Sequence, residues 1–323
     1  MSKMINTVCG PVSSDNIGTT LMHEHIQFGY AGWYAHTNKP QDKEKAFAIA
    51  LKAMNDIKDC GVKTYVDATP GDSGRDPEFY RAISEKSGVN IVCSTGLYTE
   101  GQGGWPYFKF QSLLTDGVEM LAELFTHEIV EGIGDTGIKA GVIKIATGLS
   151  AITDYEKMAL QAAARAQKKT GVPIITHTEA GTMGPEQVDI LLAEGANPKQ
   201  IAIGHAGGSA DLKYHANILD KGVNLAFDRL GLDAELWKAG PDKFRKGCIV
   251  ALISMGYTNQ LILSHDVVLN WLGGEVILPK EMVANWYPTH VFKNFIPALK
   301  NSGVTDEEIH TIMVENPRQM FEG

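Results

Sequence analysis

DKEKAFAIALKAMNDIKDCGVKTYVDAT, Asp42 to Thr69, reads as two elements joined by one glycine. Phe47, Leu51, Met54 and Ile57 recur at helical spacing and fall on one face, which predicts an amphipathic helix. Gly61 stands where a helix C-terminus needs a residue free to adopt positive φ. The following Val62 to Thr69 is a short run rich in β-branched residues, the signature of a strand. The phrase then returns along the chain. SGVNIVCSTG (87–96), AGVIKIATG (140–148), TGVPIITHTE (170–179) and KGVNLAFDRLG (221–231) each place Gly-Val before a strand-like run. Helical patterns precede them; TDYEKMALQAAARAQKKTG opens with a Thr153 to Glu156 capping box and closes at Gly171.

TTLMHEHI (19–26), KQIAIGHAGG (199–208) and NQLILSHDVV (259–268) raise the number of strand candidates to eight. Eight alternating β and α units predict an α/β fold, a (β/α)8 TIM barrel with its active site at the C-terminal ends of the strands. The alternative is an open doubly wound sheet, but the phosphate-binding G-x-G-x-x-G is missing after the first strand. No linker or composition break divides residues 1–323, so a single domain is expected. The connections after the third strand (99–109) and the eighth (267–288) are long, as functional loops often are.

Composition narrows the function classes. With 44% hydrophobic and 21% charged residues the chain is an ordinary globular protein. Its 29 Lys and Arg against 38 Asp and Glu give a formal charge of −9, which argues against nucleic-acid binding through a basic face. Cys9, Cys60, Cys93 and Cys248 form no C-x-x-C and read as free thiols in a reducing compartment. MSKMINTVCGPVSSDN lacks the apolar segment of a secretion signal, and no run of about 18 apolar residues occurs. A cytoplasmic, non-membrane protein is expected.

Chemically capable residues cluster at predicted strand ends. His23 and His25 close the first strand, where a spacing of two aims both imidazoles the same way. The helical zinc pattern H-E-x-x-H is absent, because Gln27 occupies its second His position. His177 closes the fifth strand, His205 the sixth and Asp266 the eighth. Lys144 lies inside the fourth, between Val142, Ile143 and Ile145, where an ammonium is costly unless paired, neutralised or modified. Their convergence on one barrel mouth points to metal binding. His36, His127, His215, His290 and His310 fall in loop or helical patterns and are expected at the surface or in packing. His265, adjacent to Asp266, is expected to face away and support the site.

This set, in this order, resembles the phosphotriesterase-like branch of the amidohydrolase superfamily, which includes phosphotriesterase-like lactonases. The similarity runs nearly end to end through GTTLMHEHI, GVKTYVDAT, TGLY, VIKIA, PIITHTEAG, IGHAG, FDRLGLD, ILSHD and VENPRQMF. The resemblance implies two divalent metal ions, zinc first, with cobalt, manganese or iron as alternatives. His23, His25 and Asp266 would hold one and His177 and His205 the other, with Lys144 bridging both as a CO2-derived carbamate. It implies attack by a shared hydroxide on a lactone carbonyl, with Asp266 shuttling the proton to the leaving alkoxide. N-acyl homoserine lactones or related γ- and δ-lactones are the implied substrates, with organophosphate triesters as a side activity.

Tyr98 and Arg229 match positions lining the lactonase pocket, as hydrogen-bond donor and as orienting or gating residue; core packing for Tyr98 and an ion pair to Asp228 or Asp233 for Arg229 are the alternatives. In the eighth loop Trp271, Leu272, Val276, Ile277, Leu278, Met282 and Trp286 are candidates to wall an acyl channel, or else to pack the loop or a dimer interface. A homodimer is expected by family analogy alone. Three rivals remain open: a primary phosphotriesterase, an amide hydrolase of the same superfamily, and a metal-bearing member without catalysis.

Overall fold

The chain enters through an antiparallel hairpin, β1 (Met4–Thr7) and β2 (Gly10–Ser13), before the first barrel strand. Four-residue strands give too short an alternation to stand out in the sequence, and the hairpin is not among the predicted elements. A computed structural model describes residues 2–233, 240–274, 276 and 278–323. All eight expected strands form: β3 (Thr19–Glu24), β4 (Val62–Asp67), β5 (Asn90–Gly96), β6 (Val142–Thr147), β7 (Ile174–Thr178), β8 (Ile201–Ile203), β9 (Asn224–Phe227) and β10 (Leu261–Leu263). Each pairs in parallel with the next, in chain order, as a (β/α)8 barrel requires.

The seam between first and last strands closes at the C-terminal mouth. Asp266 N–H donates to His23 O (3.1 Å), His25 N–H to Val267 O (3.0 Å) and Leu269 N–H to His25 O (3.0 Å). Backbone pairing therefore ties the His-bearing segment to the Asp-bearing one.

Helices α1 (Lys43–Asp59), α2 (Pro77–Ser87), α3 (Pro106–Gln111), α4 (Gly117–Val130), α5 (Asp154–Thr170), α6 (Gly184–Ala193), α7 (Leu212–Leu219) and α8 (Asp242–Ser254) lie in the connections between barrel strands. In α1 the fully buried stripe is Ala46, Ala50, Ala53, Met54 and Ile57. Phe47 and Leu51 sit at its margin, because small alanines let the helix lie closer to the sheet than the larger side chains would. α5 has the capping box at Thr153 and Glu156, and Gly171 ends it at φ 70°. No described helix is long and apolar enough to cross a membrane.

Inside the barrel each strand contributes one residue to an apolar floor: Met22, Val66, Val92, Val142, Ile175, Ala202, Ala226 and Ile262. Ile5, from the hairpin, and Ile17, Met320 and Phe321 join the same cluster. Inward positions recur every two residues, so the next level after Val142, Ile175 and Ala226 is Lys144, His177 and Asp228. β5 approaches β6 closely at that level. A Cβ on Gly96 would lie 1.9 Å from Lys144 O, and φ is +117°, so only glycine fits.

Candidate metal centre and active site

The pairing register of β3 with β4 slips between Leu21 and Glu24, which separates Met22 in the floor from His23 at the mouth. His25 follows just beyond the strand. His205 and Asp266 lie past the ends of β8 and β10 in left-handed backbone conformations (φ 58° and 56°), unusual for non-glycine residues. Such geometry persists where surrounding contacts impose it, and here it turns both side chains inward. Lys144 and His177 come from within their strands. All six line one cleft of about 500 Å³, together with Tyr98 and Arg229.

The hydrogen bonds on each imidazole fix which nitrogen faces the centre. His25 Nδ1 donates to Thr69 Oγ1 (2.7 Å), whose own proton goes to Gln27 O (2.9 Å). Asp228 Oδ1 accepts His205 Nδ1 (2.8 Å), and its Oδ2 lies 2.7 Å from His23 Nδ1 as a close ion-pair contact. His177 Nε2 donates to Glu179 Oε2 (3.1 Å). The lone pairs left over are on His23 Nε2, His25 Nε2, His205 Nε2 and His177 Nδ1, all aimed inward.

There they meet other acceptors. His25 Nε2 lies 3.0 Å from Asp266 Oδ1, and His205 Nε2 lies 2.8 Å from His177 Nδ1. Lone pairs this close repel unless a cation lies between them. His23, His25 and Asp266 each offer an atom within 4.8 Å of the others, which is the spacing of a candidate metal site. Lys144 Nζ abuts His23 Nε2. Buried imidazoles, a carboxylate and a lysine amine thus fit a pair of divalent cations.

Electrostatics favour the deprotonated ligand forms. Burial lowers Lys144 to about 8 and His177 to about 4, and it also lowers His23 and His205. Burial works the other way on Asp266, but the adjacent His205, His25 and Arg229 outweigh it and hold the carboxyl well below its usual range. Asp228 is held down by His205 and His23 against the same burial effect.

Around this centre the cleft is aromatic. Phe28 meets Tyr30 at 5.3 Å, Tyr98 at 5.4 Å and Trp271 at 5.9 Å between ring centroids, each edge to face. The Tyr98 hydroxyl is 3.4 Å from His177 Nδ1, and burial raises its pKa well above the usual value, so it stays a donor. Arg229 Nε donates to Asp266 Oδ2 (2.9 Å); the sequence-derived alternatives, Asp228 and Asp233, are not its ion-pair partners. Asp228 is committed to the two histidines.

Of the eighth-loop residues, Trp271 and Trp286 line the cleft, joined by Val268 and by Leu232 from the seventh loop. Trp286 Nε1 also donates to His265 O (2.8 Å). Leu272 instead turns away to Trp33 and Gly74, Val276 is exposed, Met282 packs on Leu232, and Ile277 lies outside the described residues. His265 serves as support: its Nδ1 donates to Glu24 Oε1 (2.7 Å) and its Nε2 accepts Val291 N–H (3.0 Å). Phe28, Tyr30, Asp228 and Glu179 are cleft or ligand-orienting residues that the sequence reading did not single out. Asp228 carried a usable signal, being the inward position two beyond Ala226.

The Phosphotriesterase family profile matches residues 3–321. The chain belongs to the phosphotriesterase family. A Mycobacterium tuberculosis phosphotriesterase homology protein is 37% identical over 98% of this chain and 97% of its own length. The aryldialkylphosphatase of Saccharolobus solfataricus is 35% identical, covering 96% of each. Among solved structures, a variant of a Deinococcus radiodurans PTE-like lactonase superposes with a TM-score of 0.96 at 41% identity, covering 98% of this chain and 99% of that one. Relatives in this family are hydrolases that depend on a binuclear metal centre, and the chain is a metal-dependent hydrolase with candidate ligands in place.

Proposed function

We propose that this phosphotriesterase-family hydrolase opens lactones, N-acyl homoserine lactones or related γ- and δ-lactones, and hydrolyses organophosphate triesters as a weaker activity. The observation that carries this reading is the placement of Tyr98: a half-buried, protonated phenol beside His177, under an aromatic wall suited to a neutral ring with an apolar tail. His23, His25 and Asp266 would hold one ion and His177 and His205 the other, zinc in the first instance. The metals would supply an activated water and polarise the substrate oxygen.

Lys144 would bridge the two positions as a carbamate. Its amine nitrogen bonds the carbon of CO2 and releases a proton, which its lowered pKa of about 8 favours. An anionic bridge then replaces a buried cation among imidazoles. Tyr98 donates to the substrate carbonyl as negative charge grows there, a contribution of the oxyanion-hole kind. Arg229 fixes the rotamer of Asp266, and the ionised Asp266 takes the proton released by the attacking water and passes it to the departing alkoxide. Trp271 and Trp286 provide the surface on which an acyl tail lies. Four free thiols fit a cytoplasmic setting.

A second reading, a primary phosphotriesterase, draws support from the Saccharolobus relative, an aryldialkylphosphatase. Catalytic efficiencies on a lactone panel, paraoxon and N-acyl amino acids, measured after reconstitution with metal and bicarbonate, separate the readings. Lactones are expected to lead. A higher kcat/KM on paraoxon or on the amides would replace this proposal.

A further inference from the structure

Glu179 lies two residues beyond His177 and is no candidate ligand. Its carboxylate is about one-fifth exposed at the cleft wall, and Oε2 accepts the Nε2 proton of His177 (3.1 Å). The backbone that places it is built against preference. Ala180 adopts φ 55°, ψ 28°, a left-handed conformation costly for a residue with a Cβ. Surrounding contacts impose the turn. Glu179 O accepts both Thr182 N–H (3.1 Å) and Thr182 Oγ1–H (2.8 Å), and Thr182 Oγ1 in turn accepts Ser150 N–H (3.0 Å). A Cβ on Gly181 would come within 2.7 Å of Ser209 N, so the turn is wedged against the segment following His205. His177 is held from behind as well, its carbonyl accepting Gln187 Nε2 (2.8 Å).

We infer that Glu179 is a positioning residue for the second metal position: it keeps the His177 proton on Nε2 and so presents the Nδ1 lone pair beside His205 Nε2. The inference rests on the two-metal reading above. Without an acceptor at Nε2 the ring is free to take its proton on Nδ1, which abolishes that ligand, or to rotate away from His205. The other three imidazoles keep their tautomers through Asp228 and Thr69, so the effect is confined to one position. Glutamine at 179 retains a carbonyl acceptor for the same proton, whereas alanine removes it.

The test is a chelator competition with Co(II) alone, on the full chain supplied with bicarbonate, in the parent, Glu179→Ala and Glu179→Gln. Thermal melting of each metal-free variant checks the fold. Losing an outer hydrogen-bond partner of a metal-bound imidazole weakens metal affinity by about 10- to 100-fold. Glu179→Ala is therefore expected to bind one of its two equivalents about 10- to 100-fold less tightly, with the other equivalent and the melting temperature unchanged and the visible Co(II) spectrum of one site altered. Glu179→Gln is expected to stay within about threefold of the parent, by the same hydrogen-bond argument. Equal binding of both equivalents in parent and Glu179→Ala overturns the inference, as does a Glu179→Gln no better than Glu179→Ala. A raised KM with unchanged metal binding also overturns it and makes Glu179 a substrate contact. Failure of the parent itself to bind two equivalents would count against the metal reading instead.

Discussion

On β6 both Val142 and Lys144 belong to the barrel interior, and on β7 so do Ile175 and His177; two residues separate an apolar floor from a polar mouth. Floor residues bury surface that water would otherwise have to accommodate, worth about 1.5–3 kcal/mol for each fully buried large aliphatic side chain. Mouth residues are as thoroughly buried, with Lys144 1% exposed and His177 1%, yet they bring unsatisfied lone pairs and a charged amine with them. Desolvating such groups without partners works against folding. The same strands thus stabilise the fold at one level and hold a reactive, costly arrangement at the next. Stability and chemistry should separate along them.

The largest separation is expected at Asp266. Asp266→Asn removes a proton carrier and a candidate ligand charge while keeping the shape, so kcat/KM on the best lactone should drop by about 10²- to 10⁴-fold. Its urea midpoint in the metal-free state should fall only modestly: Arg229 loses an anionic partner, but asparagine keeps a carbonyl acceptor for Arg229 Nε. A metal-free variant that melts far below the parent would mean the mouth supports the fold after all. The floor should respond in reverse. Ile175→Ala opens a cavity in a fully packed layer and should lower stability by about 2–5 kcal/mol in urea unfolding, with kcat/KM per folded molecule and metal content unchanged.

Acid should distinguish the two levels next. Burial lowers His177 to about 4 from its ordinary 6.5, so between those values the unfolded chain binds the proton and the folded chain does not. Stability of the metal-free protein should therefore fall as pH drops from about 6.5 to about 4, by up to about 3 kcal/mol from this group, and level off below. Urea midpoints across that range check it. Ile175→Ala should shift the whole curve without changing its slope.

How much of this was legible beforehand follows from the periodicities. Strands with a Gly-Val start and β-branched runs could be read one by one; five of the six candidate ligands stood at their ends, where a barrel gathers them in one place, and Lys144 stood out as a lysine inside an apolar strand. Asp228 escaped because a carboxylate next to Arg229 invites a local ion pair, whereas the fold sends Arg229 to Asp266. Glu179 escaped because its placement depends on a left-handed alanine that no composition rule anticipates. The aromatic partners of Tyr98 come from the first loop, far away in sequence, and contacts of that kind leave no periodic trace.

The smallest effect concerns the wall above the mouth. Trp271 packs edge to face on Phe28 and provides no candidate ligand, so Trp271→Ala should leave metal content intact and flatten the rise of kcat/KM with acyl length, by up to about 0.8 kcal/mol for each methylene no longer buried. Lactones without a tail should change little. An unaltered chain-length profile would assign Trp271 to packing alone.

The central claim, that the polar level of the barrel is a two-metal hydrolytic centre bridged through Lys144, is tested most directly by counting metal against activity. Metal-free protein is titrated with Zn(II) in bicarbonate while bound metal, by elemental analysis, and lactone hydrolysis are followed together. The account predicts that activity climbs to a plateau at two ions per chain, and that Lys144→Met never reaches it while folding normally. Full activity at one ion or none, or an undiminished Lys144→Met enzyme, would contradict it.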